Sequence, residues 1–131
     1  MAIFVDTGVW FAASVPGDPD HAAASLFLRS NRQRLVTTDY VYDELLTIFR
    51  SRGHLDRAKD WVDQVRQGRW ELVSITDEDV WQATELFFSF ADKSWSFTDC
   101  TSRVVMLRLG IQRAWAFDVH FRQFGTVTVV P

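Results

Sequence analysis

The sequence predicts a three-layer α/β/α protein, with a mostly parallel sheet between two layers of helices. Residues 3–5 and 114–117 are short apolar runs without polar alternation, as in strands that are buried on both faces of a parallel sheet. Segments with helical spacing separate the predicted strands, and no two-residue hairpin signal joins any two of them. The 131 residues can bury a substantial core, so we expect one domain over residues 1–131.

The first half of the chain alternates predicted strands and helices. They are a strand at 3–5, helices at 9–13 and from 19, a strand at 35–37, and helices at about 38–52 and 55–68. Asp18 and Pro19 favour a helix start, because aspartate is a good N-cap and proline fits the first helical position. Gly53 and Gly68 follow the third and fourth helices, where glycine commonly ends a helix.

The second half continues the same alternation. The predictions are a strand at 70–75, a helix capped by Thr76, a polar loop at 92–96, a helix capped by Thr98, a strand at 114–117, a turn through 120–124 and a last strand at 126–130. Three acids follow Thr76, which favours a helix N-terminus because its dipole attracts negative charge. A cap at Thr98 makes Asp99 the first residue of the next helix, where the same dipole favours an ionised carboxylate.

Composition and length narrow the possible locations and partners. The longest apolar runs are far shorter than the roughly 20 residues of a membrane-spanning helix, so we expect no membrane association. The N-terminus has no export signal, and the single cysteine, Cys100, permits no internal disulfide; both favour the cytoplasm. Arginine outnumbers lysine by twelve to two, which suits phosphate binding but is equally expected from a GC-rich genome.

The high aromatic content indicates a surface that binds a partner. The sequence has six Trp and eleven Phe, more than a domain of this size is expected to bury. Trp10, Phe11, Trp61, Trp81 and Trp95 are the aromatic residues least securely assigned to the core.

Four of the 17 acids have positions that indicate a function. Asp6 and Asp118 each end an apolar strand, Asp99 opens a helix, and Glu44 flanks a buried helical face. An α/β fold can bring all four to one edge of the sheet, where crowded carboxylates need a cation to remain ionised. All-oxygen ligands suit Mg²⁺ or Mn²⁺. Without these four acids, 13 acids face 14 bases, so the negative total does not exclude an RNA partner.

The remaining chemically active side chains have simpler interpretations. His21 and His54 lie at polar helix starts and are expected to be solvated. His120 follows Asp118 closely and either approaches the acids or packs at the surface. Cys100 is expected to be a small core residue, because the sequence offers no base to activate it. Two threonines beside the acids either orient carboxylates and water or cap the backbone; they are Thr7 and Thr98.

Four short stretches together resemble the PIN-domain ribonucleases, and in particular the VapC-type toxins. They are FVDT at 4–7, DEL at 43–45, SFTDC at 96–100 and AFD at 116–118, and the most specific part is 92–100 together with 117–121. The resemblance implies a PIN-like endoribonuclease dependent on Mg²⁺ or Mn²⁺, whose catalytic and metal-binding acids match Asp6, Glu44, Asp99 and Asp118. It also implies RNA as substrate, hydrolysed by a metal-activated water, and an antitoxin protein as partner in a type II toxin–antitoxin pair. The aromatic content indicates in addition that the chain forms a homodimer.

Other interpretations of the same residues fit less well. Asp6-Thr7-Gly8 matches the aspartic protease signature, but that fold is all-β and several helical patterns follow here. A haloacid dehalogenase-like phosphatase would have a second acid at position 8, where this chain has Gly8. The remaining alternative is a catalytically silent PIN-like domain that binds RNA or an antitoxin, which the complete set of four acids disfavours.

Overall fold

The chain folds into a parallel sheet with helices packed against it. The computed structural model describes residues 1–117, 119–124 and 128–130. The strands are β1 Ala2–Val5, β2 Arg34–Thr38, β3 Glu71–Val73, β4 Arg113–Trp115 and β5 Thr128–Val130. The helices are α1 Thr7–Ser14, α2 His21–Ser30, α3 Asp39–Ser51, α4 Leu55–Arg66, α5 Asp77–Ser89, α6 Phe97–Leu109 and α7 Val119–Gln123. The strand order is β3-β2-β1-β4-β5, and each neighbouring pair is parallel. This confirms the predicted three-layer α/β/α fold.

Strand β1 is the central strand of the sheet, and its side chains are therefore buried on both faces. Ile3, Phe4 and Val5 are at most 1% exposed. From β1 the chain runs outward through β2 to β3, and then returns to the other side of β1 to form β4. Right-handed crossovers therefore place the two sets of connecting helices on opposite faces. The direction of the chain changes between β1 and β4, and ligands of open α/β sheets bind at such a switch point.

Three helices begin at positions other than those predicted, and the first of them, α1, begins at Thr7 rather than at Val9. Helix α2 begins at His21 rather than at Pro19, because the Asp18 carboxylate accepts the Asp20 N–H at 2.9 Å and closes a turn before the helix. Helix α6 begins at Phe97, so Asp99 is its third residue and not its first. The cap is Ser96 rather than Thr98, since the Ser96 hydroxyl accepts the Asp99 N–H at 3.0 Å.

The aromatic residues are better buried than the sequence suggested. Of the five aromatic residues least securely assigned to the core, Trp10, Phe11, Trp61 and Trp95 are buried in it, whereas Trp81 is 66% exposed. The Trp10 ring lies 5.5 Å from Trp61 and 4.8 Å from the Trp70 ring, which explains how bulky indoles share one core. None of the described helices is long and apolar enough to cross a membrane.

Candidate active site

Three of the four predicted acids line one cleft at the carboxyl end of β1. The cleft has a volume of about 520 Å³, and Asp6, Glu44 and Asp99 all contribute to its wall. The fourth acid, Asp118, lies outside the described residues. The cleft therefore lies where the topology predicts a ligand, and it carries carboxylates from three separate elements.

Asp6 is fixed by both the sheet and the helix that follows it. Its backbone N–H donates to the Trp115 carbonyl in β4 at 3.0 Å, and its own carbonyl accepts the Val9 N–H at 3.1 Å in the first turn of α1. Its exposed fraction is only 8%, low for an acid. A carboxylate buried to this extent is destabilising unless hydrogen bonds or an opposite charge compensate for its burial.

Glu44 reaches the cleft because helix α3 is anchored on either side of it. The Thr38 hydroxyl at the end of β2 accepts the Val41 N–H at 3.1 Å and starts the helix. Val41 and Leu45 are fully buried, and Glu44 lies half-buried on the margin of that face. Its carboxylate makes no hydrogen bond or ion pair with the described residues, so it is available to a cation.

Asp99 is held through one of its two carboxylate oxygens. Oδ2 accepts the Ser96 N–H at 3.0 Å and lies 3.1 Å from Nδ1 of His120. Because an ionised carboxylate can only accept, Nδ1 must carry the proton of this bond. His120 thus approaches the acids, which was one of its two predicted roles. Within the described part of the chain, Oδ1 of Asp99 has no hydrogen-bond partner.

The cleft also contains residues that the sequence did not single out as site residues. Asp18 and Asp20 line it because the turn before α2 folds over its edge, and Arg52 lines it from the end of α3. The Arg52 guanidinium lies 5.0 Å from the centre of the Phe11 ring. A usable signal existed for Arg52: it follows Glu44 by eight positions, about 2.2 helical turns, which keeps the two residues within one broad stripe of the helix.

Two further predictions concern small residues beside the acids. Cys100 is fully buried, and burial together with the charge of Asp99 raises the pKa of its thiol to about 11. It is a core residue, as predicted, and its thiol is inert at neutral pH. Thr7 lines the cleft, and its buried hydroxyl has no hydrogen-bond partner among the described residues.

These donors fit a hard divalent cation. Three features support the fit. The donors are all oxygens, and the Thr7 hydroxyl is buried. Within the described chain, Glu44, Oδ1 of Asp99 and the Thr7 hydroxyl have no hydrogen-bond partner. Across the described ranges no three His, Cys, Asp or Glu side chains are close enough together to hold a metal ion. Mg²⁺ does not require such a cage, since it usually keeps several waters and binds through one or two carboxylates.

Comparisons with known proteins agree on one family. The PIN domain family matches residues 3–127. The 23S rRNA-specific endonuclease VapC20 of Mycobacterium tuberculosis is 36% identical over 133 residues, which is 98% of both chains. Ribonuclease VapC26 of the same organism is 26% identical over 135 residues, covering 98% of this chain and all of that protein.

Solved structures give the same result. The crystal structure of M. tuberculosis VapC20, described as a sarcin–ricin loop cleaving toxin, superposes with a TM-score of 0.89 at 32% identity and covers 98% of this chain and 99% of that one. VapBC2 from Rickettsia felis, bound to a DNA fragment from its promoter, has a TM-score of 0.71 at 10% identity, covering 99% and 98% of the two chains. The second match shows the fold alone.

Proposed function

We propose that this chain, which belongs to the PIN-domain family and is an endoribonuclease of the VapC type, requires a divalent cation, Mg²⁺ or Mn²⁺, at a site formed by Asp6, Glu44, Asp99 and Asp118. The observation that supports the site most directly is the arrival of three of these acids, from three different elements, at one cleft. Repulsion between them is relieved when a cation binds, so the site is better suited to holding one than to remaining without it.

The residues divide into two roles in this proposal. A divalent cation lowers the pKa of bound water and stabilises the charge that develops on an attacked phosphate. Asp6 and Asp99 would hold the cation, because the Asp6 backbone is fixed between β4 and α1 and the Asp99 carboxylate is held by the Ser96 N–H. Glu44 or Asp118 orients the attacking water, and the Glu44 carboxylate, which has no partner among the described residues, can accept a proton from it.

The histidines support attack by water rather than by the 2′-hydroxyl of the RNA. Ribonucleases that use the 2′-hydroxyl usually need a paired base and acid, often two histidines. His21 is occupied by the Ala12 carbonyl at 2.8 Å, and His54 packs against Phe11. Of the three, His120 alone is among the described residues that line the cleft. Hydrolysis by water breaks the bond to the 3′ oxygen and leaves a 5′-phosphate and a 3′-hydroxyl.

The relatives supply candidates for substrate and partner. VapC20 is named for 23S rRNA and for its sarcin–ricin loop, so that loop is the first RNA to test here. We also propose that the chain is the toxin of a type II toxin–antitoxin pair, inhibited by an antitoxin protein, and that it forms a homodimer. The exposed Trp81 and Phe88 on α5 are apolar surface available for a protein contact.

The experiment uses the purified chain and a sarcin–ricin hairpin, with a hairpin of scrambled sequence as control. We expect cleavage with Mg²⁺ or Mn²⁺, none in EDTA, and fragments that ligate directly to an adaptor that requires a 5′-phosphate. Full activity in EDTA, or cyclic 2′,3′-phosphate ends, would contradict the mechanism. Binding of the hairpin without cleavage in either cation would instead support the catalytically silent alternative.

A further inference from the structure

We infer that His120 is a positioning residue: it holds the Asp99 carboxylate through Oδ2 so that Oδ1 faces the cation. This inference rests on the proposed cation site. It assigns to His120 neither contact with the cation nor a proton transfer in the reaction.

The hydrogen bonds of the imidazole support this role. Nδ1 lies 3.1 Å from Oδ2 of Asp99, and Nε2 lies 3.0 Å from the hydroxyl of Ser94. With the proton on Nδ1, a neutral ring accepts at Nε2 from Ser94, and this fixes both the tautomer and the ring orientation. Both nitrogens are thus engaged by protein groups, which favours a fixed support over a proton shuttle.

The contact also joins the two segments that carry the acids. Asp99 lies in the first turn of α6, whereas His120 lies in α7, which begins directly after Asp118. A second bond holds the same two regions together, since the Trp95 indole N–H donates to the Gln123 side chain at 2.8 Å. The loop before α6 is therefore fastened to α7 at Ser94 and at Trp95.

The physical need for such a support follows from the charges. Carboxylates that share a cleft repel one another before a cation arrives, and a free Asp99 side chain would turn away. A hydrogen bond from a neutral donor restrains the carboxylate without neutralising it, so its attraction for a cation is preserved. Residues that orient metal ligands in this way are typically worth about 10- to 100-fold in metal affinity.

Two substitutions at His120 separate the donor from the bulk of the ring. His120→Asn places an amide N–H near the position of Nδ1. His120→Gln places it near Nε2 instead and so removes the hydrogen bond that His120 donates to Asp99. His54→Ala is the control, because His54 packs on Phe11 and does not line the acid cleft. Binding of Mn²⁺ alone is measured by titration calorimetry, without RNA, and melting temperature is measured in EDTA.

We expect His120→Gln to bind Mn²⁺ about 10-fold or more weakly, and His120→Asn to recover most of that loss. In cleavage assays the Gln variant should need more Mn²⁺ for half-maximal rate but approach the wild-type rate at saturation. Ser94→Ala, which acts through the ring, should have a smaller effect of the same kind. His54→Ala should bind Mn²⁺ as the wild type does.

Equal Mn²⁺ affinity in the wild type and both His120 variants would overturn the inference while leaving the cation site intact. A lower melting temperature in EDTA with unchanged affinity would show a purely structural role, with the same consequence. Failure of the Asn variant to recover the loss would overturn the assignment to Nδ1. If the wild type itself bound no Mn²⁺, the proposed function would fail first, and the inference with it.

Discussion

Helices α5 and α6 begin with the same local motif, yet the acid in that motif has different partners in the two helices. In each, the N-cap hydroxyl accepts the N–H of the third helical residue, an aspartate, whose carboxylate accepts the N-cap N–H in return. The distances are 3.0 to 3.1 Å in both helices. Backbone capping therefore does not distinguish Asp79 from Asp99, and the difference must come from their other partners.

Asp79 is paired with the side chain of Arg108. The Arg108 guanidinium donates to both of its oxygens at 2.8 to 3.2 Å, and the Asp79 side chain is only 2% exposed. Burial alone would raise the pKa of Asp79, but hydrogen bonds from Arg108 and Thr76 and the charge of Arg108 hold it below its ordinary value. Asp79 is an internal structural charge.

Among the described residues, no arginine or lysine pairs with Asp99; its Oδ2 faces the imidazole of His120, and its side chain is 13% exposed in a cleft with other acids. Its second oxygen is left for a group that the described chain does not supply. We therefore expect a capped aspartate to be structural when the fold pairs it with an arginine, as in Asp79. Where the described chain supplies no such partner, as for Asp99, we expect the carboxylate to be available to a bound cation.

Removing the negative charge at each of the two positions tests this comparison, and the largest expected effect is on cleavage. Asp99→Asn should lower cleavage about 1,000-fold, since a metal site supplies several kcal/mol of charge stabilisation and each 1.36 kcal/mol is tenfold. Its melting temperature in EDTA should be unchanged or raised, because a crowded charge is removed while the amide oxygen still accepts from Ser96. The measurements are RNA cleavage with Mg²⁺ and thermal unfolding without it.

Asp79→Asn should show the reverse pattern. Breaking a buried ion pair costs about 3 kcal/mol, equivalent to a fall of about 10 °C in melting temperature, while activity below that temperature is retained. Asp77→Asn is the matched control, since Asp77 lies in the same first turn but is exposed. Loss of stability in Asp99→Asn comparable with that in Asp79→Asn would show that both acids are structural.

The next test is the free energy of unfolding at acidic pH, which should depend on the pairing of Asp79 with Arg108. The folded pKa of Asp79 lies below the ordinary 3.8, so the unfolded chain takes up a proton first as pH falls. The contribution of the pair is therefore complete above pH 3.8 and is lost as pH falls through the folded pKa. In urea unfolding, the gap between wild type and Asp79→Asn should be constant from about pH 6 to pH 4 and narrow below that. A gap that widened on acidification would contradict the pair's role.

The fold was predictable because it depends on patterns that are local in sequence. Unbroken apolar runs at β1 and β4 indicated buried parallel strands, and a strand-ending acid such as Asp6 indicated the functional edge of the sheet. Capping chemistry predicted the start of α5 at Thr76 but placed the start of α6 two residues late, because Ser96 and Thr98 are both acceptable caps. Local preference alone could not choose between them.

Partners that are distant in sequence were not predictable in the same way. The difference between Asp79 and Asp99 depends on Arg108, which is 29 residues from Asp79 and meets it only when α6 packs against α5. Asp18 and Asp20 line the cleft because of the turn before α2, and the direction of a turn cannot be predicted from hydrophobic periodicity. The hydrogen bond from His120 likewise requires α7 to be in place.

The two arginines Arg108 and Arg52 extend the comparison to cations, and they give the smallest expected effect. Arg108 is committed to Asp79, whereas the Arg52 side chain has no ion pair within the described chain; it lies on the Phe11 ring and lines the cleft of the acids. A guanidinium held in this way beside the proposed cation site is suited to an RNA phosphate next to the cleaved bond.

Arg52→Gln should therefore weaken RNA binding about tenfold or less and lower the slope of log affinity against log salt by about 1. Arg50→Gln is the matched control: Arg50 is an exposed arginine two positions away that lines grooves along α3 and not the acid cleft. Both changes are made in Asp99→Asn protein so that the RNA stays uncut, and binding is followed by fluorescence anisotropy from about 50 to 300 mM salt. Because the two variants lose the same net charge, a general electrostatic effect would lower both slopes equally. Only a direct phosphate contact at the cleft lowers the slope for Arg52 alone, and equal slopes would exclude Arg52 as that contact.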